Sequence, residues 1–374
     1  MKLKADRATL LKALAHIQSV AEKRNTIPIL ANVLISAKDS RLSLTATDME
    51  IAVVEQIAAV VSRDGATTAP AAVLYEIVRK LPEGAEVEFD HTGGDAPLGL
   101  RAGRYATSLN VLAIDDFPSM TAGSLPHTFR IAPGVLRGLI DRTRFAISTE
   151  ETRYYLNGIF LHVAETETGP MLRAVATDGH RLARVQTEVP TGATGMPGVI
   201  VPRKTINELR KLLDEAADDI EMSLSDTRIQ FAVGSVMLTS KLIDGTFPEY
   251  ERVIPRDNDK ILRVGKKDFS DAVARVAAIS QERSRPVKLS IERNLLTLSA
   301  ASPDQGTAKE ELDEGRVSYD STPLEIGFQA RYLNDITDQI EKDVEFAFSD
   351  SAAPTVVRDV DSPSALYVLM PMRV

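Results

Sequence analysis

The amino-acid sequence predicts an α+β fold of three repeated domains, each with two helices packed on antiparallel sheets. The first observation is an Ala-Thr-Asp triplet that begins at Ala46 and again at Ala176, 130 residues later. The second is a Phe-Pro pair at Phe117-Pro118 that returns at Phe247-Pro248 with the same spacing. A fixed period is typical of repeated structural units.

A third repeat is fainter. The segment 295–304 resembles the Ala-Thr-Asp strand with an altered turn, and "YVLMPM" takes the place of the Phe-Pro strand. Three repeats in 374 residues give units of a common domain size. The predicted domains are residues 1–124, 125–256 and 257–374.

Each repeat is predicted to begin with an amphipathic helix, continue through alternating strands, and contain a second helix before its last strands. Apolar residues at spacings of three and four define the first helices. These residues are Leu10, Leu14, Ile17 and Ala21, then Leu136, Leu139, Ile140 and Ile147, then Phe269, Val273, Val276 and Ser280. The second helices are "AAVLYEIVRKLPEG", "RKTINELRKLLDEA" and "QARYLNDITDQIEK". Runs such as "RLSLTATDMEIAVVEQ" alternate as half-buried strands do.

Composition excludes several classes of protein. The sequence has no cysteine, which excludes disulfides, thiolate chemistry and cysteine-based zinc sites. No long uncharged apolar run is present, which argues against a signal peptide or a spanning helix. The absence of cysteine is compatible with a reducing, cytoplasmic location. Walker, G-x-S-x-G and H-E-x-x-H motifs are absent.

The net charge of −9 argues against a general coat of basic residues for nucleic acid, but it allows basic residues to gather on one surface. In "RKTINELRKLL" the basic residues fall on one side of a helix and Ile206, Leu209, Leu212 and Leu213 on the other. The alternative is ordinary solvated lysines and arginines. The sixth helix fits the basic pattern poorly, since Arg331 is accompanied by Asp335, Asp338 and Glu341. The basic residues that could form such a surface are Arg24, Arg137, Arg144, Arg203, Lys204, Arg210 and Lys211.

The stretch "VATDGHRLARV" places Asp178, His180 and Arg181 around Gly179. Between two alternating runs, Asp-Gly is typical of a tight hairpin turn. A catalytic role would need Asp178 and His180 to activate a nucleophile or hold a metal, and no other histidine lies at metal-ligand spacing. The first repeat has Met49-Glu50 here, so the fold does not require the Gly-His pair and a binding role stays open.

Several segments resemble the bacterial DNA polymerase III beta subunit family, the replication sliding clamps. They are "ETRYYLNGIF", "VATDGHRLA", "VPRKTINEL", "TSKLIDGTFPEYERVIP" and "YVLMPMRV", and the likeness extends over essentially the whole chain. The resemblance implies the DNA clamp fold and a six-domain ring of two copies around duplex DNA, without a catalytic residue, cofactor or metal. It makes the seven basic residues named above the candidates to face DNA. Arg24 and Lys204 match family positions implicated in DNA contact, whereas Glu150 and Glu151 stand where the family has another such contact.

The resemblance also implies a hydrophobic cleft between the second and third domains. This cleft takes short Gln-Leu-x-Leu-Phe-like motifs from DNA polymerase subunits, the clamp loader and repair proteins. The matching positions are Leu156, Thr177, Gly179, His180, Arg181, Leu182, Pro248, Arg252, Val253, Val368, Met370, Pro371, Met372 and Arg373. Leu182, Val253, Val368 and Met370 are expected to line the apolar pocket, and Arg181, Arg252 and Arg373 to meet the peptide. Pro354 and Val374 depart from the family pattern near this cleft.

A ring of two three-domain chains closes by joining its ends head to tail. The expected surfaces are the edge strand around Leu109 and the helix end around Ile279. Two other classes stay open: an enzyme acting at Asp178 and His180, and a repeat scaffold without a nucleic-acid role.

Overall fold

The computed structural model describes residues 1–21, 26–280, 285–313 and 315–373. Its elements occur three times in one order: a strand, a helix, four or five strands, a second helix and three strands. The Ala-Thr-Asp strands of the first two repeats end at Thr47 and Thr177, which keep the 130-residue spacing. The predicted three-repeat α+β fold is confirmed.

Two sheets and two helices account for the first repeat. Its elements are β1 (Lys2–Asp6), α1 (Arg7–Gln18), β2 (Asn32–Lys38), β3 (Arg41–Thr47), β4 (Ile51–Ala58), β5 (Val60–Arg63), β6 (Gly65–Pro70), α2 (Ala71–Lys80), β7 (Glu86–Asp90), β8 (Leu98–Ala102) and β9 (Tyr105–Leu109).

The second and third repeats follow the same plan. The second contains β10 (His127–Ile131), α3 (Pro133–Asp141), β11 (Gly158–Thr166), β12 (Gly169–Thr177), β13 (Arg181–Glu188), β14 (Val199–Pro202), α4 (Arg203–Leu213), β15 (Ile220–Leu224), β16 (Arg228–Val233) and β17 (Val236–Lys241). The third contains β18 (Lys260–Gly265), α5 (Lys266–Ala277), β19 (Pro286–Glu292), β20 (Leu295–Ser302), β21 (Gly306–Leu312), β22 (Val317–Tyr319), β23 (Leu324–Gln329), α6 (Ala330–Thr337), β24 (Asp343–Phe348), β25 (Thr355–Asp359) and β26 (Ser362–Leu369).

The predicted apolar helix faces are buried, as the 3.6-residue period requires. All twelve residues named for the first helices lie in the core, as do the four apolar residues of α4. One boundary was wrong: α3 ends at Asp141, and Ile147 follows a separate 3-10 turn. The Thr143 hydroxyl donates to the Leu139 carbonyl at 2.6 Å, a side-chain bond that competes with helical pairing.

One compact unit contains residues 1–137, 190–197 and 204–242. It has a five-stranded sheet in the order β5-β1-β7-β8-β9 and an eight-stranded sheet in the order β10-β15-β16-β17-β4-β3-β2-β6. In the larger sheet β4 of the first repeat pairs with β17 of the second, from Ile51–Glu55 to Val236–Ser240. Two successive repeats are therefore joined by backbone hydrogen bonds.

The other compact unit contains residues 138–189, 198–203 and 243–374. Its nine-stranded sheet has the order β14-β11-β12-β13-β26-β25-β24-β18-β22, and its four-stranded sheet the order β21-β20-β19-β23. Here β13 of the second repeat pairs with β26 of the third, through Arg181–Val185 and Ala365–Leu369. The manner of joining is the same as in the first unit.

Among the described residues, none of the helices combines the length and the apolar character that crossing a membrane requires.

The side chain of His16, on α1, is largely buried. Its Nδ1 is 2.9 Å from the buried Glu55 carboxylate, and its Nε2 is 3.5 Å from Glu215. The hydrogen bond from His16 to Glu55 is the main reason that the pKa of His16 is raised above its ordinary value of 6.5. Protonated His16 therefore stabilises the folded chain.

We expect the free energy of unfolding to decline as pH rises above 6.5 through the folded pKa of His16. The sign follows because a raised pKa contributes stability that is complete below the unfolded pKa and lost above it. Urea unfolding at successive pH values, with His16→Gln beside the natural chain, measures this contribution. His162 is the matched control: burial lowers its pKa, so its contribution is lost as pH falls below 6.5. A decline above pH 6.5 that survives in His16→Gln would contradict the assignment.

Candidate functional site

A turn of residues Thr177–Arg181, here called the Thr-Asp turn, joins β12 to β13. The Thr177 hydroxyl donates to the Arg181 carbonyl at 2.7 Å and accepts from the Gly179 N–H at 3.1 Å. Asp178 Oδ1 accepts from the N–H groups of His180 and Arg181 at 2.9 and 3.0 Å. Gly179 has φ +89°, a conformation that glycine adopts without strain. The predicted tight turn is confirmed.

The first repeat forms the same turn between β3 and β4. Asp48 Oδ1 accepts from the N–H groups of Glu50 and Ile51 at 2.9 and 2.7 Å. Met49 takes the left-handed position there, at φ +74°. The turn therefore depends on the threonine and aspartate, which both repeats share, more than on glycine.

The hydrogen bonds of Asp178 leave it poorly suited to acid–base catalysis. One carboxylate oxygen holds the turn, and the other accepts from Arg181 Nε at 3.1 Å. His180 is exposed, and its ring stacks on Tyr332 with 6.2 Å between centroids. Within the part of the chain that the structure describes, no group of three or more His, Asp or Glu is arranged to hold a metal ion.

A cavity of about 520 Å³ opens beside the Thr-Asp turn, within the unit that contains β13 and β26. We call it the cleft. Many of the predicted cleft residues line it, namely Leu156, Thr177, Gly179, Arg181, Leu182, Pro248, Arg252, Val253, Val368 and Met370. Pro354, noted in the sequence as a departure near the cleft, also lines it. The structure therefore brings together residues from widely separated parts of the sequence.

The remaining predicted residues lie elsewhere. His180 lines a neighbouring polar cavity with Arg144, Arg203 and Arg331, whereas Pro371, Met372 and Arg373 are not among the lining residues of either cavity. Met372 instead donates its N–H to the Gly327 carbonyl at 2.8 Å. Val374 lies outside the described residues.

Sequence reasoning missed four lining residues: Arg153, Tyr155, Glu249 and Tyr250. They lie within two of the segments that resemble the family, "ETRYYLNGIF" and "TSKLIDGTFPEYERVIP", in or beside the 3-10 turns 151–156 and 250–253. Membership of these segments was the available signal. Arg153 pairs with Glu150 at 2.6 Å, and a Cβ on Gly179 would lie 2.5 Å from its guanidinium. This pairing also shows that Glu150 is occupied by a protein cation.

The floor of the cleft is part of a buried apolar cluster. Leu182 and Val368 face each other across β13 and β26, and both are buried. Tyr250 closes one side, its hydroxyl 3.0 Å from His162 Nε2 and 3.1 Å from Arg173. Burial raises the pKa of the Tyr250 hydroxyl, which stays protonated and can donate to His162. The rim is different, since Val253 and Met370 are exposed.

The basic residues predicted to face DNA are mostly paired with carboxylates. Arg137 and Arg210 lie 3.6 and 2.6 Å from Asp214, and Arg144 lies 3.2 Å from Asp141. Lys211 contacts Glu208, and Lys204 contacts Asp48. Arg203 is exposed, and no carboxylate of the described residues lies within ion-pair distance of it. Arg24 lies outside the described residues.

Comparison with known proteins identifies the family. Models of the N-terminal, central and C-terminal domains of the DNA polymerase III beta subunit match residues 1–121, 130–249 and 251–373. The chain belongs to the DNA polymerase III beta subunit family.

Relatives and solved structures agree with that assignment. The beta sliding clamp of Caulobacter vibrioides is 51% identical over the full length of both chains. A crystal structure of the Caulobacter crescentus beta sliding clamp has TM-score 0.97 and 51% identity, covering 100% of this chain and 99% of that one. A Bartonella birtlesii sliding clamp bound to griselimycin has TM-score 0.96 and 47% identity, with both chains fully covered. The sequence-based family resemblance is confirmed.

The cleft contains two kinds of apolar residue with different expected contributions to stability. Leu182→Ala should lower the free energy of unfolding by about 2–5 kcal/mol, because it leaves a cavity in a packed core. Met370→Ala should change it by less than about 0.5 kcal/mol, because the side chain is 42% exposed. Denaturant unfolding measures both. Equal losses would contradict this division between floor and rim.

Proposed function

We propose that the chain acts as a sliding clamp in DNA replication, as two copies closed into a ring around duplex DNA. The ring tethers DNA polymerase subunits and other replication and repair proteins through the cleft, and it carries no catalytic site of its own. The observation that carries the proposal is the three-repeat clamp fold with a partly exposed apolar cleft beside the Thr-Asp turn. A cytoplasmic location and an absence of bound cofactor belong to the same proposal.

The domain boundaries near residues 124 and 256 are part of the proposal. The family models leave 122–129 unmatched and begin again at 251, close to these positions. Residues 254–259, at the second boundary, form no helix or strand, which supports a linker between the second and third domains there.

Dimer closure is supported by unpaired strand edges. β9 is the last strand of the five-stranded sheet, and β21 is the last strand of the four-stranded sheet. Such edges tend to pair with another strand. Leu109 is buried at the end of β9, Tyr105 on the same strand is exposed, and Ile279 is half-buried just after α5. Leu109 and Ile279 stay our candidates for the dimer interface, with Tyr105 beside them.

The cleft suits a short apolar peptide with a polar flank. Leu182, Val368 and Met370 offer apolar surface, whereas Arg153 and Arg252 offer cationic groups for the polar flank of a peptide. A cavity of this size buries only a few side chains, so the affinity is expected on the order of micromolar. Two clefts in one ring would raise the effective concentration of a tethered partner.

The peptide site is tested with a fluorescently labelled Gln-Leu-Ser-Leu-Phe peptide. We expect saturable binding to the natural chain and a loss of at least about tenfold in Met370→Ala, because the methionine side chain forms the rim. Met49→Ala is the matched control, since Met49 is similarly exposed at the equivalent turn of the first repeat. No binding by the natural chain, or equal losses in both variants, would remove the cleft from the proposal.

DNA contact is tested at Arg203, the exposed cation at the start of α4. Arg203→Glu should weaken binding of a labelled duplex at low salt and reduce the salt dependence of that binding by about one phosphate contact. Arg228→Glu, on β16, makes the same charge change outside the helices. Equal weakening in the two variants would indicate a general charge effect instead of a contact at α4.

A further inference from the structure

Arg181 belongs to the cleft through its main chain. It is the first residue of β13 and pairs with Leu369 of β26. The residue before Arg181, His180, accepts a hydrogen bond at its carbonyl from the Met370 N–H, at 2.9 Å. Leu182, the next residue, forms the apolar floor. Gly179, Arg181 and Leu182 therefore line one wall of the cleft.

The side chain of Arg181 has other surroundings, and only 4% of it is exposed. Nε donates to Asp178 at 3.1 Å, one terminal nitrogen to Asp335 at 2.5 Å, and the other to the Phe145 carbonyl at 2.6 Å. The guanidinium lies 4.4 Å from the centre of the Tyr332 ring and 5.1 Å from that of Phe145. None of these partners lines the cleft, so a peptide would not meet the charge of Arg181.

We propose that Asp335, on α6 and outside the cleft, is a positioning residue for peptide binding that acts through Arg181. Its carboxylate fixes the guanidinium, the guanidinium holds Asp178, and Asp178 holds the backbone of the Thr-Asp turn. The wall of the cleft is thereby set by a helix of the third repeat. This inference rests on the proposed peptide-binding function of the cleft.

The charge balance at this point makes Asp335 more than a space-filling residue. The buried Arg181 guanidinium is balanced by two carboxylates, those of Asp178 and Asp335. Arg331 also lies 3.5 Å from Asp335. Removing the charge of Asp335 leaves the buried guanidinium with one carboxylate, that of Asp178, and an under-compensated buried charge destabilises the arrangement around it. The Thr-Asp turn, which Asp178 holds, is part of that arrangement.

The first repeat offers a parallel. Its equivalent aspartate, Asp48, holds its turn with one oxygen and contacts Lys204 of α4 with the other. In both repeats the turn is therefore linked to the second helix of the following repeat. Of these two turns, as the described residues show them, the second has an arginine and a second aspartate in its link, and it borders the cleft.

The test compares binding of the labelled Gln-Leu-Ser-Leu-Phe peptide to Asp335→Asn, Asp335→Glu and Asp338→Asn. We expect Asp335→Asn to weaken binding about tenfold, equivalent to about 1.4 kcal/mol, and Asp335→Glu to restore most of the affinity because it keeps the carboxylate. Asp338→Asn makes the same charge change at the exposed end of α6, at a residue that is not among the hydrogen-bond partners of the Arg181 side chain in the described part of the chain, and it should bind as the natural chain does.

A second readout separates positioning from general loss of stability. The methyl resonance of Met370, recorded without peptide, should shift in Asp335→Asn and not in Asp338→Asn, since the Met370 N–H is bonded to the turn. If Asp335→Asn does not fold, Tyr332→Leu, which removes the ring packed on Arg181 and on His180, should give a smaller change of the same kind. Natural affinity and an unshifted Met370 resonance in well-folded Asp335→Asn would overturn the inference.

Failure of the underlying function would look different. If the natural chain does not bind the peptide, the proposed cleft function fails. The Met370 resonance then decides separately whether Asp335 controls the turn, and an unshifted resonance would overturn that link as well.

Discussion

Backbone pairing between strands of successive repeats is the constraint on which this structure depends. β4 pairs with β17, and β13 pairs with β26. Because strand edges carry unpaired N–H and C=O groups, each repeat covers an edge of its neighbour. One strand of each junction, β4 or β13, begins directly after a turn that a threonine and an aspartate hold, so the repeated sequence motif lies where the repeats meet.

The cleft follows from the same constraint. Once β13 is aligned with β26, Leu182 faces Val368. The exposed Met370 is the first residue after β26. The turn before β13 then becomes a wall, held by hydrogen bonds that the threonine and aspartate supply. A surface for partners is thus formed at a junction that the fold needs in any case.

Much of the fold could be predicted because residue spacing and short motifs determine its helices and turns locally. The period of three and four residues located the helix faces, and the Thr-Asp sequence located the turn. The end of α3 was missed because it depends on one hydroxyl, that of Thr143, bonding to a carbonyl one turn earlier. The spacing of apolar residues does not reveal a helix end that depends on such a hydrogen bond.

The candidate site was predicted less fully for a related reason. From the sequence, Arg181 beside the turn was expected to be exposed and to contact a peptide. Its side chain is instead enclosed by Asp335 and Tyr332, which are more than 150 residues away in the sequence. Ion pairs such as Arg210 with Asp214 likewise moderate a basic helix face that the sequence shows only as a stripe. Paired cations suit a protein that must not grip DNA tightly, since sliding requires weak, sequence-independent contacts.

The most direct test of a clamp is topological. The protein is assembled on circular duplex DNA with a clamp loader, washed at high salt, and the DNA is then cut once with a restriction enzyme. A ring around DNA is expected to stay on the circle and to leave the linear molecule through its free ends. Equal loss from circular and linear DNA, or equal retention on both, would contradict the account.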